Sequence, residues 1–270
     1  MAAIQRHVLA RQLKELAATF ESPERFCAGL LEIFDFYADH TLRVRNAKDA
    51  TPRLREFHVP PLLLREVEKF LAPYIQARPQ QALALADALW AETCLETRRL
   101  AAWILGQVRL RPPSALLERL NKWSEEALED AVLKELATRS VSGLSSEAPD
   151  LFLAQMESWL TDEGAGKVRL GLYALAGWAS KGAEEHGPTM FRWLAPHLRH
   201  PDRLMIDALQ EALEALIVSL PQESAFFLQE MLGATPPREL VSLCRRVLPL
   251  FPPEEENLLR SHLRELRRAG

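Results

Sequence analysis

Arg43, Arg45, Lys48, Arg53 and Arg55 stand within one short stretch that has only Asp49 to offset them. Several cations acting together can neutralise a run of phosphates, because each contact releases a counterion. Arginine adds a planar fork that matches phosphate oxygens. A solvated loop is the competing reading of the same residues. A second cluster, Arg260, Arg264, Arg267 and Arg268, follows helical spacing near the C-terminus. There the helix dipole alone favours cations and no ligand is required.

Other chemistries find little support. Gly164-Ala-Gly-Lys167 is a poor phosphate loop, since the glycine four residues earlier is missing, Val168 follows the lysine, and no strand precedes it. An inter-helix turn accounts for it better. His197 and His200 lack a nearby cysteine or carboxylate pair, so they read as histidines ending a helix rather than metal ligands. No Gly-x-Ser-x-Gly occurs. Cys27, Cys94 and Cys244 lie far apart without a Cys-x-x-Cys pair, which suggests free, buried thiols in a reducing compartment. No cofactor and no metal are expected. Tryptophans at 90, 103, 123, 159, 178 and 193 mostly fall inside apolar stripes and read as core. Trp123 and Trp159, near helix ends, are the two to doubt.

These residues must be carried by helices. Ala82, Leu85, Ala86, Leu89 and Trp90 repeat at i, i+3, i+4, i+7 and i+8, which lays one apolar stripe along a helix. Similar stripes begin at Leu63, Leu100 and Leu209, and no stretch shows the period of two of a half-buried strand. Prolines punctuate the stripes: Ser22-Pro23, Pro60-Pro61, Pro79 and Pro112-Pro113 mark helix starts and stops, and Ser22 is expected to cap the helix that Pro23 opens. Beyond residue 120, helices are expected at about 125–139, 148–160, 167–182, 187–197, 202–219, 222–233, 236–250 and 253–268. Helix pairs thus recur roughly every 35 to 45 residues. The expectation is an all-α fold, a superhelical solenoid of HEAT-like antiparallel helix pairs with about fourteen helices. It is read as one domain over 1–270 with a minor break near 140–147; an irregular bundle is the competitor.

Composition bounds the function. The 270 residues are 48% hydrophobic and 26% charged, an ordinary globular balance that argues against disorder. A net charge of −4 argues against a protein coated with positive charge, yet leaves room for one basic face. The N-terminal Met-Ala-Ala-Ile-Gln-Arg-His leads into no apolar run, so no signal peptide is read, and no run is long enough to span a membrane. A cytoplasmic location is the expectation.

Some segments look like a known family. Phe57-His-Val-Pro60 followed by Leu64-Arg65, then Leu89-Trp90, Glu96, Arg98, Leu100 and Ala101, then Trp159 leading into Lys167-Val168-Arg169, resemble the AlkD-like DNA alkylation repair proteins over about residues 45–220. The resemblance implies a HEAT-like solenoid whose concave, positively charged face holds duplex DNA. In catalytic members an aspartate and tryptophans flank the damaged nucleotide and promote cleavage of the glycosidic bond of alkylated purines. Such a purine is cationic; a carboxylate can stabilise the developing oxocarbenium charge, and aromatic faces attract the base. Asp130 falls where the family carries the aspartate, but Glu126 stands one turn earlier in place of a tryptophan. The second tryptophan is replaced at Lys167 or Val168.

The resulting expectation is a HEAT-like DNA-binding protein, catalytically weak or inactive. Arg43, Arg45, Arg53, Arg55 and Arg65, with Lys167 and Arg169, would contact the phosphates of duplex or branched DNA. One alternative is an active alkylpurine glycosylase using Asp130. Another is a scaffold gripping a protein partner, which the net charge and the acidic run at Glu125, Glu126, Glu129 and Asp130 favour.

Overall fold

Proline opens many of the helices. It takes the first helical position, where its missing N–H is no loss, at Pro23, Pro61, Pro79, Pro149 and Pro221. A computed structural model describes residues 5–39, 54–109, 113–127, 129–141, 143–233 and 235–269. In chain order its helices are α1 (Arg6–Ala17), α2 (Pro23–Tyr37), α3 (Pro61–Ala77), α4 (Pro79–Ala91), α5 (Leu95–Gln107), α6 (Ser114–Glu126) and α7 (Asp130–Glu135). They continue with α8 (Leu144–Glu147), α9 (Pro149–Leu160), α10 (Ala165–Arg199), α11 (Ile206–Ser219), α12 (Pro221–Leu232), α13 (Arg238–Val247) and α14 (Pro253–Ala269). The described residues contain no strand, only an isolated bridge between Arg55 and Cys94. Arg43, Arg45, Lys48 and Arg53 lie outside the described residues.

The chain divides into two compact units, Met1–Leu120 and Asn121–Gly270. In the first, α1 packs on α2, α2 on α4, and both α3 and α4 on α5, around Phe26, Leu30, Phe34, Leu63, Val67 and Leu85. In the second, α9 and α11 flank α10, α12 and α13 follow on α11, and α14 lies against α12. Helices thus pack mainly against near neighbours in sequence. All three cysteines are free and buried. Trp123 and Trp159 are buried too; the Trp159 indole N–H donates to Asn121 Oδ1 at 2.6 Å, giving its polar edge a partner inside the core.

Three local expectations need correcting. Ser22 occupies the N-cap position of α2 without a side-chain cap bond. The expected helices at 167–182 and 187–197 are one, α10, with Pro188 and Pro196 inside it. Proline removes one helical hydrogen bond at a cost of about 3 kcal/mol, but burial on both sides holds the helix through it. Ala179 and Ala183 precede Pro188, and Met190, Trp193, Leu194 and Leu198 follow it, all buried. Conversely, the expected helix at 125–139 is broken: α6 ends at Glu126, α7 starts at Asp130, and a π-helical turn, Leu136–Ser140, continues it.

Candidate functional site

Two neighbourhoods hold the functional candidates, one in each unit. In the first, residues 54–60 run as a non-helical segment against the start of α5. The Arg55 N–H donates to the Thr93 carbonyl and the Arg55 carbonyl accepts from Leu95 N–H, both at 2.9 Å. Two residues on, the Phe57 N–H donates to Glu96 Oε1 at 2.9 Å, and the Cys94 thiol donates to Glu96 Oε2 at 3.2 Å. Glu96 is only 5% exposed, so both its oxygens are spent on holding the segment in place. Burial first, and the Glu96 carboxylate among lesser causes, push the Cys94 thiol up to about 12. That thiol is inert at neutral pH. His58 sits at a φ of 52°, inside the left-handed region, where the chain turns into Val59 and Pro60.

The cations of this neighbourhood face outward. Arg55 Nη2 meets Asp35 Oδ1 at 3.3 Å with both side chains mostly in solvent, and its guanidinium lies 4.1 Å from the centre of the Phe57 ring. Arg65 is exposed on α3. A solvent-screened pair such as Arg55–Asp35 contributes about 0–1 kcal/mol, so it is readily exchanged for another anion.

In the second unit the arrangement is reversed. Asp130 opens α7, and Arg169 on α10 donates to its Oδ1 through Nη2 at 2.6 Å and Nε at 3.2 Å. Here the cation is the buried partner: the Arg169 side chain is 10% exposed and that of Asp130 39%. The pair starts a ladder between two helical rows spaced by four residues. After Asp130 and Arg169 comes Lys134, whose Nζ lies 5.2 Å from the centre of the Tyr173 ring and which also pairs with Glu211. Burial and then the adjacent Asp130 carboxylate raise the Tyr173 phenol far above its ordinary value, with Arg169 opposing. The phenol therefore stays protonated.

Lys167 is tethered as well. Its Nζ lies 2.8 Å from Glu125 Oε1 and 3.2 Å from Asp162 Oδ2. These two carboxylates, Glu125 first, raise the lysine above its ordinary value. Asp162 is held below the usual carboxylate range, chiefly by the Gly164 N–H donating to its Oδ1 at 2.7 Å and then by Lys167. The sequence Gly164-Ala-Gly-Lys167 is thus the turn into α10. A Cβ at Gly166 would stand 2.1 Å from the Ser124 carbonyl oxygen, so glycine is required by the close approach to α6. His197 Nε2 lies 2.8 Å from the Leu160 carbonyl, a structural use of that histidine. Among the described residues no cluster of metal-ligating side chains is present.

Of the predicted site residues, the structure joins Asp130 to Arg169 directly, sets Lys167 against Glu125, and leaves Arg55 and Arg65 on the surface of the other unit. Arg43, Arg45 and Arg53 lie outside the described residues. Glu126, standing where the resemblance calls for a tryptophan, is 3.9 Å from Lys122 on the same helix. Tyr173 and Lys134 escaped the sequence reading; their only signal was the four-residue spacing from Arg169 and Asp130. No helix of the described residues is long and apolar enough to cross a membrane. A family model described as DNA alkylation repair enzyme matches residues 62–241. No curated protein matches the chain.

Proposed function

Because this chain belongs to the DNA alkylation repair enzyme family, we propose that it binds duplex or branched DNA through a concave basic face and has weak or no glycosylase activity. The reading carries with it a superhelical stack of HEAT-like helix pairs, which the neighbour-to-neighbour packing within each unit supports. Arg43, Arg45, Arg53, Arg55 and Arg65 contribute the phosphate contacts. Arg55 and Arg65 are solvent-facing, so they can reach phosphates and release the counterions condensed on the DNA. Lys167 and Arg169 already have carboxylate partners, which lowers the net charge they offer a phosphate.

The observation that carries the low-activity reading is the Asp130–Arg169 pair. A guanidinium on Asp130 Oδ1 fixes the carboxylate in place, but its positive charge offsets the field that would stabilise an oxocarbenium ion. Glu126 in place of an aromatic ring removes a face for the cationic base. The test has two arms. Fluorescence anisotropy should show duplex affinity falling as salt rises from about 50 to 200 mM. Incubation with duplex containing N7-methylguanine should release little base above the uncatalysed rate, with Asp130→Asn changing it little. Robust release abolished by Asp130→Asn would establish the glycosylase instead. Affinity indifferent to salt would remove the DNA reading.

A further inference from the structure

Five of the six tryptophans are buried; Trp178 alone is partly exposed, and it stands at a cavity of about 230 Å³. The cavity is where the ladder of α7 and α10 runs out. After Asp130–Arg169 and Lys134–Tyr173, the next positions are Thr138, in the π-helical turn, and Gly177, which has no side chain to fill its place. A Cβ at Gly177 would meet nothing nearer than Thr138 Cγ2, at 4.0 Å. The site lies about 12 Å along α10 from Arg169, at 1.5 Å per residue. π-helical turns are rare and often accompany functional sites.

The Trp178 wall of this cavity is closely packed. Phe152 meets the Trp178 ring edge-on at 4.9 Å, and His186 stacks near it at 5.2 Å and 30°. Gly182 seats the ring closely: a Cβ there would come within 2.3 Å of Trp178 Cε2. An indole braced from the same helix and from α9 loses little entropy on binding, which favours a flat partner. Val141 adds apolar lining, while Lys181 brings a cation and Thr138 a hydroxyl to the lining. Thr138 Oγ1 donates to the Lys134 carbonyl at 2.7 Å, so it faces a ligand as an acceptor. Aromatic and apolar walls with a few polar groups are the usual make-up of a small-molecule pocket, and this one is below drug size.

We propose that the cavity at Gly177 and Trp178 binds one planar heteroaromatic ring, of the size and polarity of an oxopurine, with a ring carbonyl toward Lys181. This does not rest on the duplex-binding reading above. The ring has two sources with the same chemistry, a free purine or an unpaired base of DNA, and the experiment separates them.

Hypoxanthine is the probe, titrated into the full chain by saturation-transfer NMR and calorimetry. Wild type should bind, and Gly177→Leu, which fills the cavity, should weaken binding about tenfold or more, the scale of one lost aromatic contact. Trp178→Leu, which removes the wall without filling the space, should give a similar loss, and Lys181→Met a few-fold one. Thermal melts establish that each variant folds. A second arm compares a duplex carrying one unpaired purine with its fully paired counterpart. Preference for the unpaired base, abolished by Gly177→Leu, identifies DNA as the source; equal binding of the two duplexes alongside hypoxanthine binding identifies a free ring. Failure of wild type to bind hypoxanthine, or equal binding by wild type and folded Gly177→Leu, overturns the proposal. Loss of duplex binding with hypoxanthine binding intact would refute the DNA reading and leave the pocket standing.

Discussion

Glu96 and Asp130 are both carboxylates at the start of a helix, yet the two units use them in opposite ways. Glu96 is inside, its oxygens consumed by a backbone N–H and a thiol, while the nearby Arg55 faces solvent. Asp130 is the exposed member of its pair, and Arg169 is the one that is buried. A charge that is buried and fully paired serves the fold; the partner left at the surface is what a ligand meets. By this criterion the neighbourhood of Arg55 offers a cation and that of Asp130 offers a carboxylate. The net charge of −4 hides that contrast.

Removing the inward carboxylate should have the largest effect. Glu96→Ala leaves the Phe57 N–H buried without its acceptor, and chemical denaturation should show a loss of about 2–3 kcal/mol. A loss below about 0.5 kcal/mol would show that water replaces the carboxylate and that the contrast between the units is overstated. Next in size is the pair in the second unit. Asp130→Ala takes the carboxylate from a buried guanidinium and should cost about 2 kcal/mol; Arg169→Met should cost less, because the exposed Asp130 rehydrates. The reverse order would mean that Asp130 is the member the fold depends on.

Glycines sharpen the comparison at a finer scale. Gly166→Ala must push its Cβ away from the Ser124 carbonyl and should destabilise by about 1–3 kcal/mol. Gly177→Ala meets open space and should stabilise by up to about 1 kcal/mol through helix propensity. Paired thermal melts separate them.

The helices were legible because their apolar residues recur with a helical period and prolines stand at their starts. Continuity through Pro188 was not, since it depends on burial of Ala179, Ala183, Met190 and Trp193 in the packing of α10 against other helices, which a local proline signal does not carry. Arg169 and Lys167 were visible as cations; that each is tied to a carboxylate was not, because Asp130 and Glu125 lie about forty residues away in sequence and only packing of α6 and α7 near α10 joins them. Phe57 and Glu96 were visible in the family resemblance and Cys94 as a buried thiol, without revealing that the three form a structural clasp. Trp178 could not be told from the other tryptophans, since all carry the same apolar signature and only Gly177 opens the space beside it.

The smallest effect concerns pH. Asp162 is held below its ordinary value, so its stabilisation is complete above the unfolded carboxylate pKa of about 3.9 and is lost as pH falls through the lower folded value. Lys167 is held above its ordinary value, so its share is complete below about 10.4 and is lost only as pH rises beyond that. The melting-temperature difference between wild type and Asp162→Asn should therefore stay constant from about pH 5 to 9 and vanish in strong acid. A difference that changes across neutrality would show that another group controls the turn into α10.

The contrast between the exposed arginines of the first neighbourhood and the tethered cations of the second is tested most directly by the salt dependence of duplex binding in single variants. Plots of log affinity against log salt should lose about 0.9 of slope for each phosphate contact removed, and so for Arg55→Ala and for Arg65→Ala, but almost none for Lys167→Ala. Equal loss of slope from Lys167→Ala, or no loss from the two arginines, would contradict the account.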